Sequence, residues 1–111
     1  MSIEPLSKTV AADMLRTLRS KRPLVHCLTN EVVQEITANV LLAAGASPAM
    51  VVAEEEAATF AAVADALLVN VGTPYPARLR AMHASAQSAA QHAHPWVLDP
   101  VAPGGLPWRD G

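Results

Sequence analysis

Ala64-Asp65-Ala66-Leu67-Leu68-Val69-Asn70-Val71-Gly72-Thr73 is the stretch around which the rest of the chain is organised. Between Ala66 and Val71 the run is apolar without alternation, interrupted only by Asn70, and Gly72-Thr73-Pro74 then stops it. A short continuous apolar run closed by turn residues predicts a strand buried on both faces, as in a parallel sheet covered by helices. Ligands of open α/β sheets sit outside the carboxyl ends of the strands. The residues at this strand's end, Asn70, Gly72 and Thr73, are therefore the first place to look for function.

Outward from that strand, the sequence predicts helices and strands in strict alternation. Residues 7 to 20 predict a helix with Val10, Met14 and Leu18 on its apolar face, and Lys21-Arg22-Pro23 ends it. Residues 24 to 29 form the first strand. Asn30 follows at an N-cap position, opening a helix with Val33, Ile36, Val40, Leu41 and Ala44 on one face, closed by Gly45. A weaker strand runs from Ser47 to Val52. Glu54-Glu55-Glu56 mark the start of the next helix, where acids meet the positive end of the dipole. Pro76 suits the first turn of a helix over 76 to 92 with Leu79, Met82, Ala86 and Ala89–Ala90 inward. Residues 95 to 101 give the last strand. The order is αβαβαβαβ, a doubly wound parallel sheet with right-handed crossovers. No helix follows the final strand in the sequence, which predicts exposed apolar surface and association along a parallel edge.

Composition narrows the function classes. The chain has 111 residues, a net charge of −2 and 51% hydrophobic residues, so it carries no basic footprint for nucleic acid. Alanine dominates the apolar set, and a chain this size buries only roughly 60–70% of its unfolded surface, so its core is thin. The lone Cys27, the absence of a signal-peptide pattern at Met1–Pro5 and the absence of a long apolar run point to a cytoplasmic protein with no membrane partner.

Four polar or flexible clusters fall at strand ends: Thr29-Asn30, Met50, Asn70 to Thr73, and Asp99-Pro100. Each admits two readings. Asn30 serves as a helix cap or contacts a ligand; Met50 fills core or contacts a ligand. Asn70, a polar amide inside an apolar strand, must find a partner. Asp99 either closes a turn through its own carboxylate or offers hard oxygens to a metal ion. Phosphate-loop and dinucleotide glycine motifs are absent. His92 and His94 read as a solvated helix end. His26 and Cys27 point to opposite faces of their strand, which excludes a Cys–His catalytic pair.

Taken together, Pro23 to Val33 (PLVHCLTNEVV), Thr37 to Met50 (TANVLLAAGASPAM), Ala64 to Thr73 and Val97 to Val101 (VLDPV) resemble the amino-terminal half of hydroxyethylthiazole kinase, in order and over about residues 7 to 101. The resemblance implies a three-layer ribokinase-like α/β fold. Residues 1–111 then form a single partial domain, the amino-terminal portion of that fold, truncated after the fourth strand. It implies transfer of the γ-phosphoryl of ATP, with Mg2+, to the primary alcohol of 4-methyl-5-(2-hydroxyethyl)thiazole in thiamine salvage, by a homotrimer with active sites between subunits. Met50 matches the methionine that contacts the thiazole. Asn30, Val32, Gly72 and Thr73 match positions lining the same pocket, and Asp99 matches an aspartate near magnesium and phosphates. After Val101 the family pattern continues with glycine-valine-glycine-alanine-threonine, whereas this chain has Ala102-Pro103-Gly104-Gly105-Leu106-Pro107. The family's ATP-binding residues and its glycine-rich turn with the catalytic cysteine correspond to positions beyond residue 111, and Cys27 is not that cysteine. No catalytic residue is therefore assigned within this chain. The expectation is a kinase by family whose 111 residues alone lack turnover. A non-catalytic substrate-binding or assembly module is the alternative, and a kinase of another small alcohol a third reading.

Overall fold

A computed structural model describes residues 7–72 and 75–101. Its elements follow the expected alternation: α1 (Lys8–Lys21), β1 (Leu24–Leu28), a 3-10 turn (Glu31–Val33) leading into α2 (Gln34–Ala44), β2 (Ser47–Ala49), α3 (Glu54–Val63), β3 (Ala66–Asn70), α4 (Pro76–Gln91) and β4 (Trp96–Asp99). The boundaries have local causes. Ser7 lies just outside α1 and accepts from the Val10 N–H, so the helix starts one residue later than its periodicity suggests. Gly45 ends α2 at φ 109°, and a Cβ there would lie 2.9 Å from Arg19 Cα, so α1 passes over the end of α2 through that glycine. β2 stops at Ala49 rather than Val52. It contains Pro48, which donates no ladder hydrogen bond and suits the edge position that β2 occupies.

All neighbouring strands are parallel, in the order β2-β1-β3-β4. Leu28, Leu67 and Val69 point into one core with Ala57 of α3 and Ala81, Met82 and Ala89 of α4. Val25 and Cys27 point the other way, with Ala66 and Leu68, into a second core that includes Leu18 of α1 and Leu41 of α2. Helices thus lie on both faces of the sheet, the expected three-layer arrangement. The two cores are unequal. β3 alternates between buried Leu67 and Val69 and half-buried Ala66, Leu68 and Asn70, so the central strand is fully covered only on its α3–α4 side.

The helix patterns need three corrections. Val10 and Met14 of α1 are exposed, as are Ile36 and Val40 of α2, and no residue of either helix is buried. Leu18 and Leu41 reach the second core, whereas Val10, Met14, Ile36 and Val40 have the right spacing for burial but are left exposed among the described residues. A groove of about 280 Å³ between Ile36, Thr37, Val40, Leu41 and Leu68 runs along that side. In α4, Ala89 is buried while Ala90 is exposed, because the inward stripe runs through Arg78, Ala81, Met82, Ser85, Ser88 and Ala89. The anticipated apolar exposure on the last strand is present: Trp96, Val97 and Leu98 are all exposed.

The topology fixes where a site can form. From β1 the chain crosses to β2 through α2 on one face. From β3 it crosses to β4 through α4 on the other. The connections leave β1 and β3 in opposite directions, so a crevice opens between the carboxyl ends of these two neighbouring strands.

Candidate functional site

The carboxyl ends of the four strands bring Thr29-Asn30, Met50, Asn70 to Gly72 and Asp99 to one rim, as expected. Asn30 and Asn70 face each other across the crevice. Asn30 Nδ2 donates to Asn70 Oδ1 at 3.0 Å. Asn70 Nδ2 in turn points to Asp99 Oδ2 at 3.4 Å, in line with the pairing of Asn70 and Asp99 in the β3–β4 ladder. A single row of side chains therefore crosses three strands.

Each member of the row also holds backbone. Asn30 Oδ1 accepts from the Val33 N–H at 3.1 Å, the expected capping bond, although what it caps first is the 3-10 turn rather than α2 itself. Asn70 Oδ1 accepts from the Gly72 N–H at 2.9 Å. Asp99 Oδ1 accepts from the Val101 N–H at 3.0 Å, the local turn that one reading of the sequence anticipated. Asn70 thus satisfies its amide through Asn30, Gly72 and Asp99. Asn30 thus acts as the anticipated cap through its Oδ1, while its Nδ2 reaches across the rim to Asn70. Gly72 is buried, and the atom nearest to the position of a Cβ there is Asn30 Nδ2, at 2.6 Å.

The remaining candidates stand differently. Met50 follows β2 directly, is half-buried, and packs against the Val25, Cys27 and Ala46 core. Val32 is 82% exposed on the 3-10 turn and lies outside the hydrogen-bonded row. Thr73 falls outside the described residues. Among the described residues no three His, Cys, Asp or Glu side chains form a metal-binding group. His92 Nδ1 donates to the Ser88 carbonyl at 2.8 Å, in keeping with a helix-end role.

Two buried groups have roles that the sequence did not show: His26, excluded there only from a Cys–His pair, and Arg78, which was not singled out. His26 is fully buried; its Nε2–H donates to the Val51 carbonyl at 2.6 Å, and its ring meets Phe60 edge-on at 5.1 Å. Burial lowers its pKa below the ordinary 6.5, outweighing the opposing pull of the Val51 carbonyl. Its Nδ1 is buried without a partner among the described residues, so the neutral ring with the proton on Nε2 is the form that fits. Arg78 is 5% exposed and donates to the Thr29 carbonyl at 2.6 Å. One signal for Arg78 was in the sequence: a cation in the first turn of a helix opposes the dipole, and needs tertiary partners to be kept there. Cys27, by contrast, is the small buried residue anticipated, its thiol pushed up by burial.

A parallel sheet between two helix layers, with amides and a carboxylate gathered where the β1 and β3 connections diverge, places the chain among open α/β proteins, a class in which ligands sit at the carboxyl rim. A family model described as the hydroxyethylthiazole kinase family matches residues 15–111. The chain belongs to the hydroxyethylthiazole kinase family. It is 61% identical to a hydroxyethylthiazole kinase of Pectobacterium atrosepticum over 98% of this chain and 42% of that protein. It is 52% identical to one from Escherichia coli O81, again over 98% of this chain and 42% of the relative. The solved structure of a hydroxyethylthiazole kinase protein from Pyrococcus horikoshii OT3 superposes with a TM-score of 0.84 at 44% identity, covering 87% of this chain and 38% of that one. The chain spans about two-fifths of the length of the relatives it matches.

Proposed function

We propose that this chain supplies the alcohol-binding side of a hydroxyethylthiazole kinase, the amino-terminal part of a domain that phosphorylates the primary alcohol of 4-methyl-5-(2-hydroxyethyl)thiazole at the expense of ATP. Membership of the family supports the reaction class. The observation that carries the site is the Asn30–Asn70–Asp99 row, which sits at the topological crevice and not elsewhere on the sheet.

The roles follow from the chemistry of each group. Asn30 and Asn70 provide amide donors and acceptors suited to a hydroxyl. Met50, next along the same rim, offers a polarizable thioether to a flat sulfur-containing ring. Val32 and Gly72 complete the same wall, and the family resemblance assigns Thr73 to the same pocket. Asp99 keeps one carboxylate at the rim, where among the described residues each oxygen has a single side-chain or backbone donor, Asn70 Nδ2 or the Val101 N–H. A single carboxylate fits Mg2+, which is commonly held by one or two carboxylates together with substrate phosphates and water. When bound, that ion neutralises charge on the phosphates of ATP. Phosphoryl transfer depends mainly on positioning and charge stabilisation, and the part of that work done here is orientation of the alcohol.

The 111 residues alone bind the thiazole alcohol but do not turn it over, because the chain spans only 42% of a relative that carries the family's name. A homotrimer in the cytoplasm, without nucleic-acid or membrane partners, completes the reading. Among the described residues no helix is long and apolar enough to cross a membrane. Calorimetry with the thiazole alcohol, with and without ATP, tests the binding, and a coupled ADP-release assay tests turnover. Heat on adding thiazole, indifferent to ATP, with no ADP released, is expected. No thiazole heat would refute the binding role. Thiazole-dependent ADP release would refute the absence of turnover.

A further inference from the structure

The best-buried charge at the rim belongs to Arg78, and none of the roles above uses it. Its Nη1 donates to the Thr29 carbonyl at 2.6 Å. Nε and Nη2 both donate to the Tyr75 hydroxyl, at 3.3 and 3.0 Å. Among the described residues the carboxylate paired with it, Glu31 Oε1, is 3.6 Å from Nη2 on a side chain that is 75% exposed. Burying a guanidinium costs several kcal/mol unless its donors are satisfied, and here neutral oxygens satisfy most of them. The arrangement has little to recommend it as an ion pair.

Its value lies in what the two oxygens belong to. Thr29 directly precedes Asn30, so the Arg78–Thr29 bond fixes the end of β1 from which the Asn30 amide projects. Tyr75 is the N-cap residue of α4 and lies three positions after Gly72 in the sequence. One planar fork therefore ties both walls of the crevice, and a lysine's single ammonium reproduces neither the spread nor the direction of its donors.

We infer that Arg78 is a positioning residue: it holds the end of β1 and the start of α4 at one fixed spacing, so that Asn30, Asn70 and Gly72 meet a small alcohol as a single preformed wall. The inference rests on the reading above for its ligand, but not for its geometry.

The test uses the full 111-residue chain with Arg78→Lys and Arg78→Met. Two backbone amides report the geometry: Val33 N–H, held by Asn30, and Gly72 N–H, held by Asn70. Their hydrogen exchange is followed beside the calorimetric affinity for the thiazole alcohol, with α1 amides as a control for folding. Both variants are expected to speed exchange at Val33 and Gly72 by about tenfold or more and to weaken the alcohol by about tenfold, with α1 unchanged. Glu31→Gln, which removes only the exposed carboxylate, is expected to change neither by more than about twofold. Unaltered exchange and affinity in Arg78→Met, or full recovery of both in Arg78→Lys, would overturn the inference. Should Arg78→Met fail to fold, Tyr75→Phe decides: it removes one anchor only, and is expected to speed exchange at Gly72 while sparing Val33. Equal protection at Gly72 in Tyr75→Phe and the unaltered chain would overturn the inference. Absence of alcohol binding by the unaltered chain would sink the function proposed above, while the two amides would still decide the role of Arg78.

Discussion

The side-chain amide of Asn30 occupies the space that a Cβ on Gly72 would need, with Nδ2 2.6 Å from that position. Glycine at residue 72 is thus a condition for the contact between Asn30 and Asn70. Gly72→Ala should force Asn30 away from Asn70 and cost about 1–3 kcal/mol, as overpacking of a fixed site commonly does. Urea denaturation of the two proteins, with unchanged m-values, measures the cost. Equal midpoints would mean that the amide has room to move.

Asn70 joins three partners, so its replacement should act on all of them. Asn70→Leu removes the acceptor for Asn30 and for the Gly72 N–H, and is expected to cost about 1–3 kcal/mol. Asn70→Asp keeps an acceptor but sets a second carboxylate where the amide nitrogen now lies 3.4 Å from Asp99. Its penalty should therefore grow as pH rises through the carboxylate range and shrink with added salt. A penalty independent of both would show that Asp99 turns away from residue 70.

His26 sets a pH dependence whose sign follows from its burial. Its pKa is lowered in the folded chain, so between that value and 6.5 the unfolded chain binds more protons. Its contribution is intact above 6.5 and is lost as pH falls towards the folded-state pKa. Thermal melts from about pH 7.5 down to about pH 5 should show this decline. His26→Gln, which keeps an N–H for the Val51 carbonyl but cannot titrate, should flatten it. An unchanged slope in that variant would assign the decline to other groups.

Much of the fold was legible because its punctuation is local. Asn30 and Gly45 mark the ends of one helix, Pro76 the start of another, and the unbroken Ala66–Val71 run fixes the central strand. Asn70 also stood out, since an amide in such a run has to be satisfied. Periodicity was less informative for Ile36 and Val40. It shows that a face is fit for burial, not that a neighbour covers it. The role of Arg78 depends on a contact with Thr29 across 49 residues of sequence, which exists only once α4 has docked beside β1. The bond from His26 to Val51 similarly requires β2 to be already in register with β1.

The thiazole alcohol should touch the chain at the carboxyl rim of the sheet. Titrating it into the 15N-labelled 111-residue protein and following every backbone and Asn side-chain amide locates that contact. The expected result is a set of shifts concentrated at Asn30, Met50, Asn70 and Gly72, reduced in Met50→Ala and absent from the outer face of α1. Saturable shifts confined to helix faces away from the rim, or no shifts at all, would contradict it.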